Sequence, residues 1–115
     1  MAGLGPVAEL SFEIAYHEDD VIVRVAGELD AFTGPRLGHF LEGLVDEGAS
    51  RLMLNLSGVS FADSRGLSPL IATAARLRNR GGGLRVCGVG PSISRLAGLM
   101  GMADLLPPHS HTGAA

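Results

Sequence analysis

Apolar residues recur with two different periods along this chain. In residues 9–16, ELSFEIAY, the side chains of Leu10, Phe12, Ile14 and Tyr16 alternate with mostly polar neighbours, and in 21–27, VIVRVAG, Val21, Val23 and Val25 share one face. A period of two predicts strands, and the intervening HEDD predicts a tight antiparallel connection. From Thr33-Gly34-Pro35 onward the period changes: Leu37, Phe40, Leu41, Leu44 and Val45 fall at i, i+3, i+4, i+7 and i+8, up to Gly48. That spacing, with Pro in the first turn and Gly at the end, predicts an amphipathic helix. RLMLNL and LRVCGV predict two buried strands. Leu67, Leu70, Ile71, Ala74 and Leu77 predict a second helix closed by NRGGG, and Ile93, Leu96, Ala97 and Met100 a third, opened near Pro91. MADLLP, at 102–107, predicts a last short strand.

The predicted order is β-β-α-β-α-β-α-β. Strands alternating with helices imply right-handed crossovers and an α/β fold: a mainly parallel sheet of four to five strands, its first strand antiparallel, with three or more helices. At 115 residues the chain is expected to form one domain, over 9–106, with loose termini at 1–8 and 107–115.

Composition narrows the chemistry. Aromatic residues are 4% of the chain and Trp is absent, so the core is expected to be built from Leu, Val, Ile and Ala. The single cysteine, Cys87, lies in an apolar run, which excludes a disulfide framework and predicts a buried structural thiol. The amino-terminal stretch MAGLGPVAEL lacks a basic region and a long apolar run, so no membrane span and a cytoplasmic location are expected. Charge is unevenly spread: residues 1–63 hold eleven acids and three Arg, whereas 64–103 hold six Arg and no acid. Solvated helix faces account for such a pattern, and a charge-steered protein partner is the sharper reading. The chain is acidic overall and no aromatics interleave with the arginines, so direct nucleic-acid binding is not expected. No cluster of His, Cys and carboxylates has metal-ligand spacing, and Gly88-Val-Gly90 lacks the third glycine of a dinucleotide-binding turn. Neither a metal nor another cofactor is expected.

The run FADSRGL, residues 61–67, falls where the charge changes sign and where a strand gives way to a helix. Three readings compete for Ser64. Asp63 or Ser64 caps the helix, which adds about 1 kcal/mol. Alternatively, Ser64 is a nucleophile on a strand-to-helix elbow, a reading that lacks an orienting base, because His109 and His111 lie in a tail too polar to pack and His17 and His39 fall in a turn and on a helix. Finally, Ser64 is displayed for phosphorylation, with Gly66 giving a second molecule's backbone room to approach. A phosphate there would meet the unpaired N–H groups of a helix start.

Three spaced motifs, GELD (27–30), LNLSGVSFADSRGL (54–67) and GGGLRVCGVGPSISRLAGLMGMADLL (81–106), together resemble the STAS domain family, specifically the bacterial anti-sigma factor antagonists. The resemblance implies a STAS-like fold and a non-enzymatic partner switch. The unphosphorylated protein would bind an anti-sigma factor that is itself a serine kinase, and phosphorylation of the serine after Asp, here Ser64, would end binding. A PP2C-type phosphatase would restore it. The family's contact surface maps onto Asp30, Thr33, Asp63, Gly66 and Leu67, with Arg65 beside the modified serine. The alternatives are a STAS subunit of a stress-signalling or lipid-transport assembly, and a small serine hydrolase. Three features depart from the family pattern: Arg65 in place of Ser or Thr, Pro69 in the expected helix, and no counterpart of a terminal helix after Leu106. Pro69 has no N–H and clashes with the fourth-preceding carbonyl, that of Arg65, so the first turn is expected to loosen or the helix to start late.

Overall fold

The computed structural model describes residues 10–107. Its elements are β1 (Ser11–His17), β2 (Asp20–Leu29), α1 (Gly34–Asp46), β3 (Arg51–Ala62), α2 (Ser64–Leu67), α3 (Pro69–Asn79), β4 (Gly83–Cys87) and α4 (Pro91–Leu99), with a 3-10 turn at Ala103–Leu105 after them. One four-stranded sheet has the order β1-β2-β3-β4, with β1 antiparallel to β2 and the other pairs parallel. This is the predicted α/β architecture, with one correction. MADLLP forms the 3-10 turn and adds no strand; its Met102 and Leu106 are buried in the core. The expected loose termini fall, Pro107 apart, outside the described residues.

Each strand sits beside its neighbour in sequence. Two right-handed crossovers stepping the same way across a sheet carry their helices to the same face, and the burial pattern agrees. Val21, Val23 and Val25 of β2, Leu52, Leu54 and Leu56 of β3, and Leu84 and Val86 of β4 point into a core completed by Leu37, Leu41, Leu44 and Val45 of α1 and by Leu67, Leu70 and Leu77. On the other face, Glu13, Arg24, Asn55 and Cys87 lie in one cross-strand row and Ala15, Ile22, Met53 and Arg85 in the next, and none of them is buried. Cys87 is therefore half-buried on a sheet face and not enclosed as its apolar neighbours suggested.

Two other patterns bend to packing. β1 alternates as predicted, but only Leu10 and Phe12 are covered, the latter by a parallel stack on Phe40 of α1 with ring centroids 4.1 Å apart. Ile14 and Tyr16 run past the end of that cover and are 40% and 71% exposed. Of the stripe predicted for the second helix, Leu67, Leu70, Ala74 and Leu77 are buried, but Ile71 is exposed and Thr73 takes the remaining buried place.

Arginines of the basic half tie α3 to α1. Arg76 pairs with Asp46 at 3.0 Å, and Arg80 donates to the Val45 carbonyl near the end of α1.

Candidate functional site

FADSRGL closes β3 and opens α2 at the carboxyl end of the parallel strands. β3 runs on through SGVSFA to Ala62, six residues past RLMLNL, and this extension carries the serine to its position. Its polar, glycine-containing middle is tolerated because the pairing with β2 slips twice, between Arg24 and Ala26 and between Gly27 and Glu28. Such bulges bend a strand and re-aim the side chains beyond them. Gly27, with φ 122°, takes a backbone conformation closed to most residues. On β3, the Asn55 side chain accepts a hydrogen bond from the Ser57 N–H at 2.9 Å.

Asp63 caps the helix start. With extended backbone, its Oδ1 accepts from the Gly66 N–H at 3.0 Å, and its carbonyl accepts from the Leu67 N–H at 3.1 Å. Its own N–H donates to the Leu29 carbonyl at 3.0 Å, pinning the turn to the end of β2. Ser64 is thereby the first helical residue; it is exposed, and its hydroxyl makes no hydrogen bond to a described residue. The described histidines, His17 and His39, are exposed and neither bonds to it.

The helix that Ser64 opens lasts a single turn. Pro69 lacks an N–H for the Arg65 carbonyl, which instead accepts the Ser68 hydroxyl at 3.3 Å, and the longer helix restarts at Pro69. The late start expected from Pro69 is what the structure has. A four-residue helix carries little of the macrodipole that the sequence suggested for a phosphate.

The GELD motif ends in a second turn, packed on the first. Asp30 Oδ1 accepts from the Phe32 N–H at 2.9 Å, the Thr33 N–H at 3.0 Å and the Thr33 hydroxyl at 3.2 Å. Thr33 Oγ1 in turn accepts from the Asp30 N–H at 2.9 Å, and its single proton is shared between Asp30 Oδ1 and the closer Glu28 carbonyl, at 2.6 Å. Donation to the charged carboxylate favours its ionised form, and the Thr33 and Phe32 backbone N–H groups hold the Asp30 pKa below the ordinary aspartate value.

Glycines let the two turns touch backbone to backbone. A Cβ on Gly66 would overlap the Leu29 carbonyl, and one on Gly34 would stand 2.7 Å from the Arg65 oxygen. Gly66 is buried, so the clearance that its sequence position suggested for a visiting molecule is occupied by this chain's own β2–α1 turn. The residues singled out in the sequence thus divide by exposure: Ser64 and Arg65 face solvent, Asp30 and Asp63 are half-buried, and Thr33, Gly66 and Leu67 are buried beneath them. Arg65 makes no ion pair with a described residue. Phe32, 87% exposed between Asp30 and Thr33, was passed over in the sequence. Its signal was available, an aromatic side chain in the short turn segment between the strand and helix patterns.

Among the described residues no group of His, Cys, Asp and Glu could hold a metal ion, and no helix is long and apolar enough to cross a membrane.

The family model described as STAS domain matches residues 11–115. The chain is 36% identical over 97 residues to the anti-sigma-B factor antagonist of Staphylococcus epidermidis, covering 84% of this chain and 90% of that protein. It is 30% identical over 97 residues to the protein of the same name from Bacillus subtilis, covering 84% and 88%. The solved structure of an anti-sigma factor antagonist from Mycobacterium paratuberculosis superposes with a TM-score of 0.77 at 30% identity, covering 87% of this chain and 86% of that one. Unphosphorylated SpoIIAA superposes at 0.73 over 84% and 86% of the two chains, and at 19% identity it speaks for the fold alone. With the sheet order, the capped serine turn and these matches in agreement, the chain belongs to the STAS domain family.

Proposed function

We propose that this protein is an anti-sigma factor antagonist switched by phosphorylation of Ser64. In its unphosphorylated form it binds a kinase-type anti-sigma factor in the cytoplasm and so releases the sigma factor. The carrying observation is the display of Ser64: an exposed hydroxyl, free of hydrogen bonds to described residues, on a turn fixed by the Asp63 cap and by the Leu29 carbonyl. A kinase needs an accessible, well-placed acceptor oxygen, and a partner surface needs a rigid one. In the transfer, Ser64 Oγ forms a bond to the γ-phosphorus of ATP, the bond to the β-bridging oxygen breaks with ADP leaving, and the hydroxyl proton passes to a base on the kinase. The product carries about 1.5–2 negative charges beside Asp63, which repels a partner seated over the turn and leaves the fold intact. A PP2C-type phosphatase would hydrolyse the ester and reset the switch.

The relatives named anti-sigma-B factor antagonists support this reading over a STAS subunit of another assembly. A hydrolase would need a base oriented on the hydroxyl, and neither described histidine bonds to it. The test is to immobilise the purified chain, identify retained proteins by mass spectrometry, and incubate the chain with the retained kinase and ATP. A gain of one phosphate in the intact mass, absent from Ser64→Ala, is expected; phosphate taken up equally by Ser64→Ala would remove Ser64 from the mechanism.

A further inference from the structure

Phe32 is the most exposed large apolar side chain among the described residues, at 87%. Single apolar residues on a surface are ordinary; what sets this one apart is the backbone beneath it. Its own N–H is bound by Asp30 Oδ1, the next N–H by the same oxygen, and the Thr33 hydroxyl ties the turn back to Glu28. Immediately after, the Gly34 N–H donates to the Asp30 carbonyl at 2.8 Å. A turn with that many internal bonds holds an aromatic ring in water. Because Gly34 also seats the turn against the Arg65 carbonyl, the ring and Ser64 are carried on one rigid body. A preformed aromatic projection has little ordering entropy left to lose on binding, and aromatic side chains are prominent among the few residues that dominate interface energies.

We infer that Phe32 is the apolar anchor by which the anti-sigma factor is held over the Ser64 turn, its ring entering an apolar pocket of that partner. This rests on the function proposed above. The anchor adds a fully projecting apolar contact to a surface whose other exposed members include the polar Ser64 and Arg65 and the less exposed Phe61, at 49%. It also links modification to release, since a phosphate on Ser64 stands on the same rigid body as the anchor and cannot be avoided by a partner still gripping the ring.

The test is calorimetric titration of the anti-sigma factor identified by its retention on the wild-type chain, against Phe32→Ser, Phe32→Tyr and Tyr16→Ser. Tyr16 is the control: it is 71% exposed but pairs with Val21 at the start of β2, whereas Phe32 lies past the other end of that strand. Phe32→Ser is expected to weaken binding at least about thirtyfold with no fall in its unfolding midpoint, while Phe32→Tyr and Tyr16→Ser stay within about threefold of wild type, a spread well short of a hot-spot loss. Wild-type binding that Phe32→Ser leaves within about threefold would overturn the anchor and spare the proposed function. Equal losses in Phe32→Ser and Tyr16→Ser would overturn it too, as would a Phe32-dependent self-association without a change in anti-sigma factor affinity. Failure of the wild type to bind any anti-sigma factor would remove both readings.

Discussion

The Cα of Gly66 rests against the carbonyl of Leu29, with no room for a side chain between them. That contact joins the turn bearing Ser64 to the turn bearing Asp30, and it makes Gly66 a structural requirement of this chain. Gly66→Ala should force the turns apart. Overpacking of this kind costs about 1–3 kcal/mol and sometimes more, and the overlap is with backbone, which cannot rotate away. A fall of about 3 kcal/mol in urea unfolding is expected; an unchanged midpoint would show that the turns separate freely.

The cap at Asp63 should be measurable apart from the switch. Asp63→Ala leaves the Gly66 N–H without its acceptor and should lose about 1 kcal/mol, while Asp63→Asn, with an equivalent oxygen, should lose much less. The comparison is made by urea denaturation of unphosphorylated protein. Equal losses in the two variants would mean that charge and not capping is what Asp63 supplies.

For the proposed switch, charge at position 64 is the variable. Ser64→Ala should keep wild-type affinity for the anti-sigma factor, and Ser64→Asp should weaken it at least about tenfold, equivalent to about 1.4 kcal/mol. Surface plasmon resonance at two salt concentrations reads both affinity and steering. Full binding by Ser64→Asp would separate phosphorylation from release.

Asp30 supplies a pH signature whose sign is fixed. Its pKa is lowered in the folded protein by the Thr33 and Phe32 N–H groups, so the ionised form contributes stability above the ordinary aspartate pKa. That contribution is lost as pH falls through the lowered folded value. The stability difference between wild type and Asp30→Asn should therefore be flat above about pH 5 and narrow below about pH 4. A gap that widens on acidification would contradict the hydrogen-bonded carboxylate.

Much of this was legible in the residues. The two-residue and 3.6-residue periods located β1, β2, α1 and α4, and an Asp before a predicted helix start was enough to suggest a cap at Asp63. Pro69 announced the break after Leu67, since a missing N–H is a local fact. What could not be read was contact between segments distant in sequence. Gly66 looked like clearance for a visitor because nothing local says that Leu29 stands over it. Ser57 and Gly58 looked like the end of a strand because a bulge is a property of a pair of strands, and β2 supplies the other half. Phe32 was overlooked for a related reason: its exposure is decided by the Asp30 turn, whose hydrogen bonds are set by folding and carry no hydrophobic period.

The consecutive strand order has a consequence for assembly. Every hydrogen-bond partner of the Ser64 turn, from the Glu28 carbonyl to Ser68, lies between residues 28 and 69, and β3 reaches its place by pairing with the strand before it. Loop closure over a few tens of residues is a modest entropic barrier, and pairings between sequence neighbours keep contact order low. The hydrogen bonds that shape the Ser64 turn therefore close within residues 28–69, without a contribution from β4 or α4. Substitutions in β4 and α4 should accordingly lower the stability of the finished domain far more than they alter the hydrogen bonding of the Ser64 turn.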